Sequence, residues 1–111
     1  MVKSSELLTI VRNILTIDIE DWYQSSIDIL GPEYSDISRP VPPSDRVIKN
    51  TRHLLKIMKE YKVTATCFIL GTVAEVYPLL VKEIHDAGHE VATHGYGHEL
   101  VYKLEPNQFT D

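Results

Sequence analysis

Three short apolar runs constrain this chain more than anything else in it. They are Asn13-Ile14-Leu15-Thr16-Ile17-Asp18, the stretch 63–70, and His89-Glu90-Val91-Ala92-Thr93. Each is rich in β-branched or aromatic residues, is too short for a core helix, and reads as a buried strand. Helical patterns lie between them. Ser44 is a good N-cap, and after it Val47, Leu54, Leu55, Met58 and Tyr61 recur at helical spacing among charged residues. This predicts an amphipathic helix over 45–61. Thr72-Val73-Ala74-Glu75 has capping-box spacing, so a helix is expected to start there. Pro78 should kink that helix or restart it as a new first turn, and Gly88 is a natural stop. A last short helix is expected after Glu105-Pro106. Strands alternating with helices imply right-handed crossovers and a parallel sheet, hence an α/β fold. In such sheets, functional groups collect at the C-terminal ends of the strands.

The stretch 24–43 carries Gly31, Pro32, Pro40, Pro42 and Pro43 and reads as a long loop. Loops of that length are usually functional or disordered. With 111 residues and an ordinary apolar content of 43%, the chain is expected to form one domain over 1–111. Its net charge of −5 is the wrong sign for a phosphate backbone, and its basic residues form no run suited to an anionic membrane. The apolar stretch Leu7–Ile17 is interrupted by Arg12 and Asn13, and no small-residue cleavage site follows. Partners are therefore expected to include neither nucleic acid nor membrane, and the expected location is cytoplasmic. The single cysteine, Cys67, excludes an internal disulfide and reads as a small core residue within its apolar run.

Two polar clusters follow predicted strands. The first is Asp18-Ile19-Glu20-Asp21-Trp22-Tyr23. Three carboxylates so close repel one another and resist burial, and a bound cation relieves both effects. The second is His94-Gly95-Tyr96-Gly97-His98. Imidazoles four residues apart can meet on one face of a helical turn, and flanking glycines let the backbone bend around an ion. A carboxylate with two histidines at the same sheet end is a recurring arrangement for a catalytic divalent metal. A solvated acidic loop and ordinary polar turn residues are the alternatives for each cluster alone. His53 is expected to be solvated on its helix. His85 is expected near a helix C-terminus, and His89 as a hydrogen-bonded structural residue. Trp22 and Tyr23 present aromatic faces suited to pyranose rings, with core packing equally open for Trp22.

The order of Leu15-Thr16-Ile17-Asp18-Ile19-Glu20-Asp21-Trp22, Val63–Gly71 and Gly88-His89-Glu90-Val91-Ala92-Thr93-His94-Gly95-Tyr96-Gly97-His98 resembles the polysaccharide deacetylase family, the nodulation-type chitooligosaccharide deacetylase domain. The likeness is closest to its exopolysaccharide-locus and allantoinase-like members, and covers about residues 13–105. It implies the N-terminal portion of a distorted (β/α)7 barrel, about three strand–helix units, and hence a truncated domain. It also implies a metal-dependent hydrolase acting on C–N bonds other than peptide bonds, which removes N-acetyl groups from a sugar polymer or oligomer with zinc as the metal.

By this resemblance Asp18 is the general base, and His94 and His98 are metal ligands. The third ligand is Asp21, the matching residue type, or Glu20, which strand alternation puts on the face of Asp18. Tyr96 joins Trp22 and Tyr23 as an expected substrate-binding residue. The family's usual T-F-D-D-G is T-I-D-I-E-D here, and Gly95 replaces the usual hydroxyl residue. An allantoinase-like cyclic amide hydrolase and a non-catalytic metal- or sugar-binding module are the other readings. A three-stranded part-barrel exposes sheet edges, so self-association is expected.

Overall fold

The computed structural model describes residues 11–27, 29–35 and 41–110. The first part of the apolar stretch from Leu7, and Pro40 of the long loop, lie outside the described residues. Three strands form one parallel sheet in the order β1 (Thr16–Ile19), β2 (Thr66–Ile69), β3 (Glu90–Thr93). The crossovers carry α2 (Asp45–Glu60) between β1 and β2, then α3 (Gly71–Val76) and α4 (Pro78–Asp86) between β2 and β3. A short α1 (Pro32–Ser35) and a 3₁₀ turn (Gln24–Ser26) sit in the long loop, and α5 (Pro106–Thr110) follows the last turn. The expected strand–helix alternation and parallel α/β class are what the chain adopts.

Each predicted strand forms with four paired residues: β2 lies in the middle of its run, β1 starts at Thr16 and extends one residue past its run to Ile19, and β3 is its run without His89. Only β2 is largely buried; as the two outer strands of the sheet, β1 and β3 are mostly exposed rather than buried as expected. β1 pairs with β2 from Thr16↔Thr66 to Ile19↔Ile69, and β2 with β3 from Thr66↔Glu90 to Ile69↔Thr93. All three strands therefore end on one level. Alternation turns Ile19, Cys67 and Ile69 to one face, where Val47 and Met58 of α2, Val73 of α3 and Leu80 and Ile84 of α4 complete the core. Cys67 is a buried core residue, as its sequence context indicates. The opposite face carries Asp18, Phe68 and Ala92 in register and is only partly covered.

The cap signals have mixed outcomes. Ser44 caps α2, its hydroxyl accepting the N–H of Arg46. Pro78 restarts the helix at the first position of α4, and Gly88 ends it with φ +90°. The capping box at Thr72–Glu75 does not form. The helix begins one residue earlier, at Gly71, and has no side-chain cap. The Thr72 hydroxyl instead accepts from Gln24 Nε2, and Glu75 accepts from the Tyr96 hydroxyl. Tertiary partners have taken both groups.

Candidate metal centre

The common strand end sets the site. Backbone bonds continue the ladder past it, with Leu70 N–H donating to the Ile19 carbonyl and His94 N–H to the Ile69 carbonyl. Glu20 thus leaves β1 on the level at which His94 leaves β3. The glutamate Oε2 lies 3.5 Å from His98 Nε2 and 3.9 Å from His94 Nε2. On the other side of the His94 ring, Nδ1 lies 3.5 Å from Asp18 Oδ1. The two imidazole centroids are 5.2 Å apart. One ligand atom from each of Glu20, His94 and His98 falls within 4.8 Å of the others. Glu20 Oε2 is shielded from solvent and has no hydrogen-bond partner among the described residues.

The histidines do not meet across a helical turn. Gly95 has φ +84° and His98 φ +69°, so the chain between them is an open turn with two left-handed residues. The turn is held from outside: Gly71 N–H donates to the Gly95 carbonyl at 2.8 Å and Thr72 N–H to the Tyr96 carbonyl at 3.0 Å. The first residues of α3 thereby use free N–H groups that a side-chain cap would otherwise satisfy. Gly71 is needed for the approach, since a Cβ there would meet Tyr96 Cδ2 at 2.6 Å.

Asp21 is not brought to the histidines. It is only 2% exposed, and its two oxygens accept backbone N–H groups, from Trp22 at 2.9 Å and Ser44 at 2.6 Å. Tyr23, expected at the sugar-facing surface, is instead enclosed. It is 3% exposed, donates its hydroxyl to the Val41 carbonyl, and packs against both Trp22 and Tyr34, which also touch each other. Its burial, with the Asp21 carboxylate adjacent, pushes the Tyr23 hydroxyl up to about 12. Trp22 and Tyr96 are more than half exposed. A cleft of about 750 Å³ opens beside the histidines, lined by His94, Tyr96, His98, Glu99, Leu104 and Phe109 among others.

His53 and His85 are exposed on their helices, while His89 is buried with Nδ1 accepting the Ala65 N–H. Gln24, which the sequence does not single out, and Thr72, expected only as a helix cap, are buried and bonded to each other. A lone glutamine in a polar loop carries no local signal of such a partner.

The sequence profile of the polysaccharide deacetylase family matches residues 43–111, a span that holds β2, β3 and both site histidines. A peptidoglycan deacetylase of Helicobacter pylori is 50% identical over 58 residues, which make up 52% of this chain and 20% of that protein. A chitooligosaccharide deacetylase of Bradyrhizobium sp. is 33% identical over 61 residues, 55% of this chain and 28% of that protein. The chain therefore spans only about a fifth to three tenths of these curated relatives. Among solved structures, peptidoglycan deacetylase PdaC from Bacillus subtilis is similar over 87% of this chain and 38% of its own, with 26% identity and a TM-score of 0.55. The parallel strand–helix units thus correspond to part of a larger deacetylase barrel. With a profile match over the greater part of its length, and with the two histidines inside that match, the chain belongs to the polysaccharide deacetylase family.

Proposed function

We propose that Glu20, His94 and His98 hold one divalent cation, and that this site serves the hydrolytic removal of N-acetyl groups from a sugar polymer. The observation that carries the reading is the Glu20 oxygen, shielded and unpartnered while facing both histidine nitrogens. A carboxylate oxygen shielded from water is costly unless paired. One carboxylate and two imidazoles suit zinc and leave positions open for water and substrate. Asp21 stands outside this ligand set because backbone N–H groups occupy both of its oxygens.

When bound, the cation supplies Lewis-acid polarisation of the acetyl carbonyl and makes water a better nucleophile. The chain's own residues do the rest. Asp18, with a half-exposed carboxylate beside His94, accepts the proton of the water that attacks the acetyl carbon. Its contact with Nδ1 also holds the His94 ring in orientation. Trp22 and Tyr96 offer exposed aromatic faces to sugar rings, and Tyr96 lines the cleft. The proton taken by Asp18 passes to the departing nitrogen as the C–N bond breaks, which leaves acetate and a sugar amine. The names of the relatives, which specify peptidoglycan and chitooligosaccharide, support an N-acetylated saccharide as the substrate.

Calorimetric titration of zinc into metal-free protein tests the site. One equivalent should bind, and Glu20→Gln and His98→Ala should each weaken it at least about ten-fold. Zinc binding indifferent to both substitutions would refute the ligand set. Acetate release from N-acetylglucosamine oligomers tests the chemistry. Asp18→Asn should cut it by about 10²–10⁴-fold. No release from zinc-loaded wild-type chain overturns the catalytic half of the reading and leaves the metal site standing.

A further inference from the structure

We infer that a buried hydrogen-bond relay through Gln24 and Thr72 sets the spacing between Glu20 and the two histidines, making both relay members positioning residues of the metal site. The inference rests on the ligand set proposed above.

Glu20 leaves the end of β1, and the histidines leave the end of β3, with β2 between them. The ladder through β2 sets the level at which Glu20 and His94 leave the sheet, but not the course of the two loops beyond it. Ligand geometry nevertheless has to be held within about 0.5 Å by the residues behind it. The relay spans that gap. The N–H of Asp21, the residue after Glu20, donates to Gln24 Oε1 at 2.7 Å. Gln24 Nε2 donates to Thr72 Oγ1 at 2.8 Å. Thr72 N–H donates to the Tyr96 carbonyl at 3.0 Å, midway between His94 and His98. The near end is pinned by the Asp21 carboxylate, which holds the N–H groups of Trp22 and Ser44.

Burial makes this more than a surface contact. Gln24 is 2% exposed and Thr72 8%. An amide placed there costs free energy unless both of its ends are bonded, and an apolar side chain of equal size would fill the space without that cost. Both ends of Gln24 are used, and each points to one half of the site. Thr72 gives up the cap of its own helix to take part. The bonds run between backbone segments that carry ligands, so cutting the Gln24–Thr72 link frees one ligand loop relative to the other.

The test is Co²⁺ titration of the full 111-residue chain, followed through the visible absorption bands that report coordination geometry. The variants are Thr72→Val, Gln24→Met, the two combined, and Thr72→Ser, each checked for folding by circular dichroism with chelator present. Thr72→Val and Gln24→Met should each weaken Co²⁺ binding about ten-fold and alter the bands. Thr72→Ser should restore both. The double variant should bind no more weakly than the worse single one, since both cut the same link. A merely structural role would lower the melting temperature and leave the bands of the folded protein unchanged. Wild-type affinity and bands in folded Thr72→Val, or additive losses in the double variant, would overturn the relay. If Gln24→Met fails to fold, Thr72→Val and Thr72→Ser decide alone. Binding unaffected by Glu20→Gln and His98→Ala would remove the ligand set and the relay with it, an outcome distinct from losing the relay alone.

Discussion

Asp21 accepts a 2.6 Å hydrogen bond from the backbone N–H of Ser44, tying the turn after β1 to the N-cap of α2. Its neighbour Glu20 directs a shielded, unpartnered oxygen at two imidazoles. Two adjacent acids thus have opposite surroundings, and they should respond oppositely to mutation. Asp21→Ala leaves the N–H groups of Ser44 and Trp22 without their acceptor and should cost about 3 kcal/mol of stability. Glu20→Gln should leave the metal-free chain at least as stable as wild type, because it neutralises an oxygen that is shielded and has no hydrogen-bond partner among the described residues. Urea denaturation in the presence of chelator measures both. Equal losses would show that the two acids play the same part.

Gly71→Ala should damage the site from a distance. The added methyl would meet Tyr96 Cδ2 at 2.6 Å and its Cα at 3.2 Å. Backbone on that side leaves little room to yield, so about 1–3 kcal/mol of stability should be lost. The histidine turn moves with Tyr96, so zinc affinity should fall as well. Unchanged zinc affinity in the folded variant would show that the turn keeps its place without α3.

Tyr23 predicts an alkaline limit. Its hydroxyl is pushed up to about 12 when folded, above the unfolded value of 10.0. Folding therefore favours the protonated form. The resulting stability is fully present below pH 10 and drains away as pH rises towards 12. Melting temperatures measured across that window should fall more steeply for wild type than for Tyr23→Phe. Parallel curves would mean that the phenol contributes no linkage.

The sheet should draw in a further partner surface. Among the described residues β1 and β3 each pair on one side only, and the face bearing Asp18, Phe68 and Ala92 is only partly covered. Parallel sheets are normally covered on both faces, and open edges invite pairing. Self-association is therefore expected, with a melting temperature that rises with protein concentration. Sedimentation as a monomer at every concentration would refute it.

The architecture was legible because its signals are local. Apolar runs of strand length, helical spacing from Val47 to Tyr61, the Ser44 cap, the Pro78 restart and the Gly88 stop all depend on neighbours within a turn or two. The two histidines and the acidic cluster were legible for the same reason, since strand ends place them. The partner of each polar atom was not. Asp21 is occupied by Ser44, 23 positions away, and Gln24 by Thr72, 48 positions away. The capping box failed because Gln24 and Tyr96 reached Thr72 and Glu75 first. Tyr23 turned inward because Val41, Trp22 and Tyr34 enclose it. Periodicity belongs to a short segment, so the sequence by itself determined the strands, the helices and the end of the sheet where the polar groups gather. Which carboxylate faces the histidines depends on hydrogen bonds between distant segments, and these exist only once the crossovers have closed.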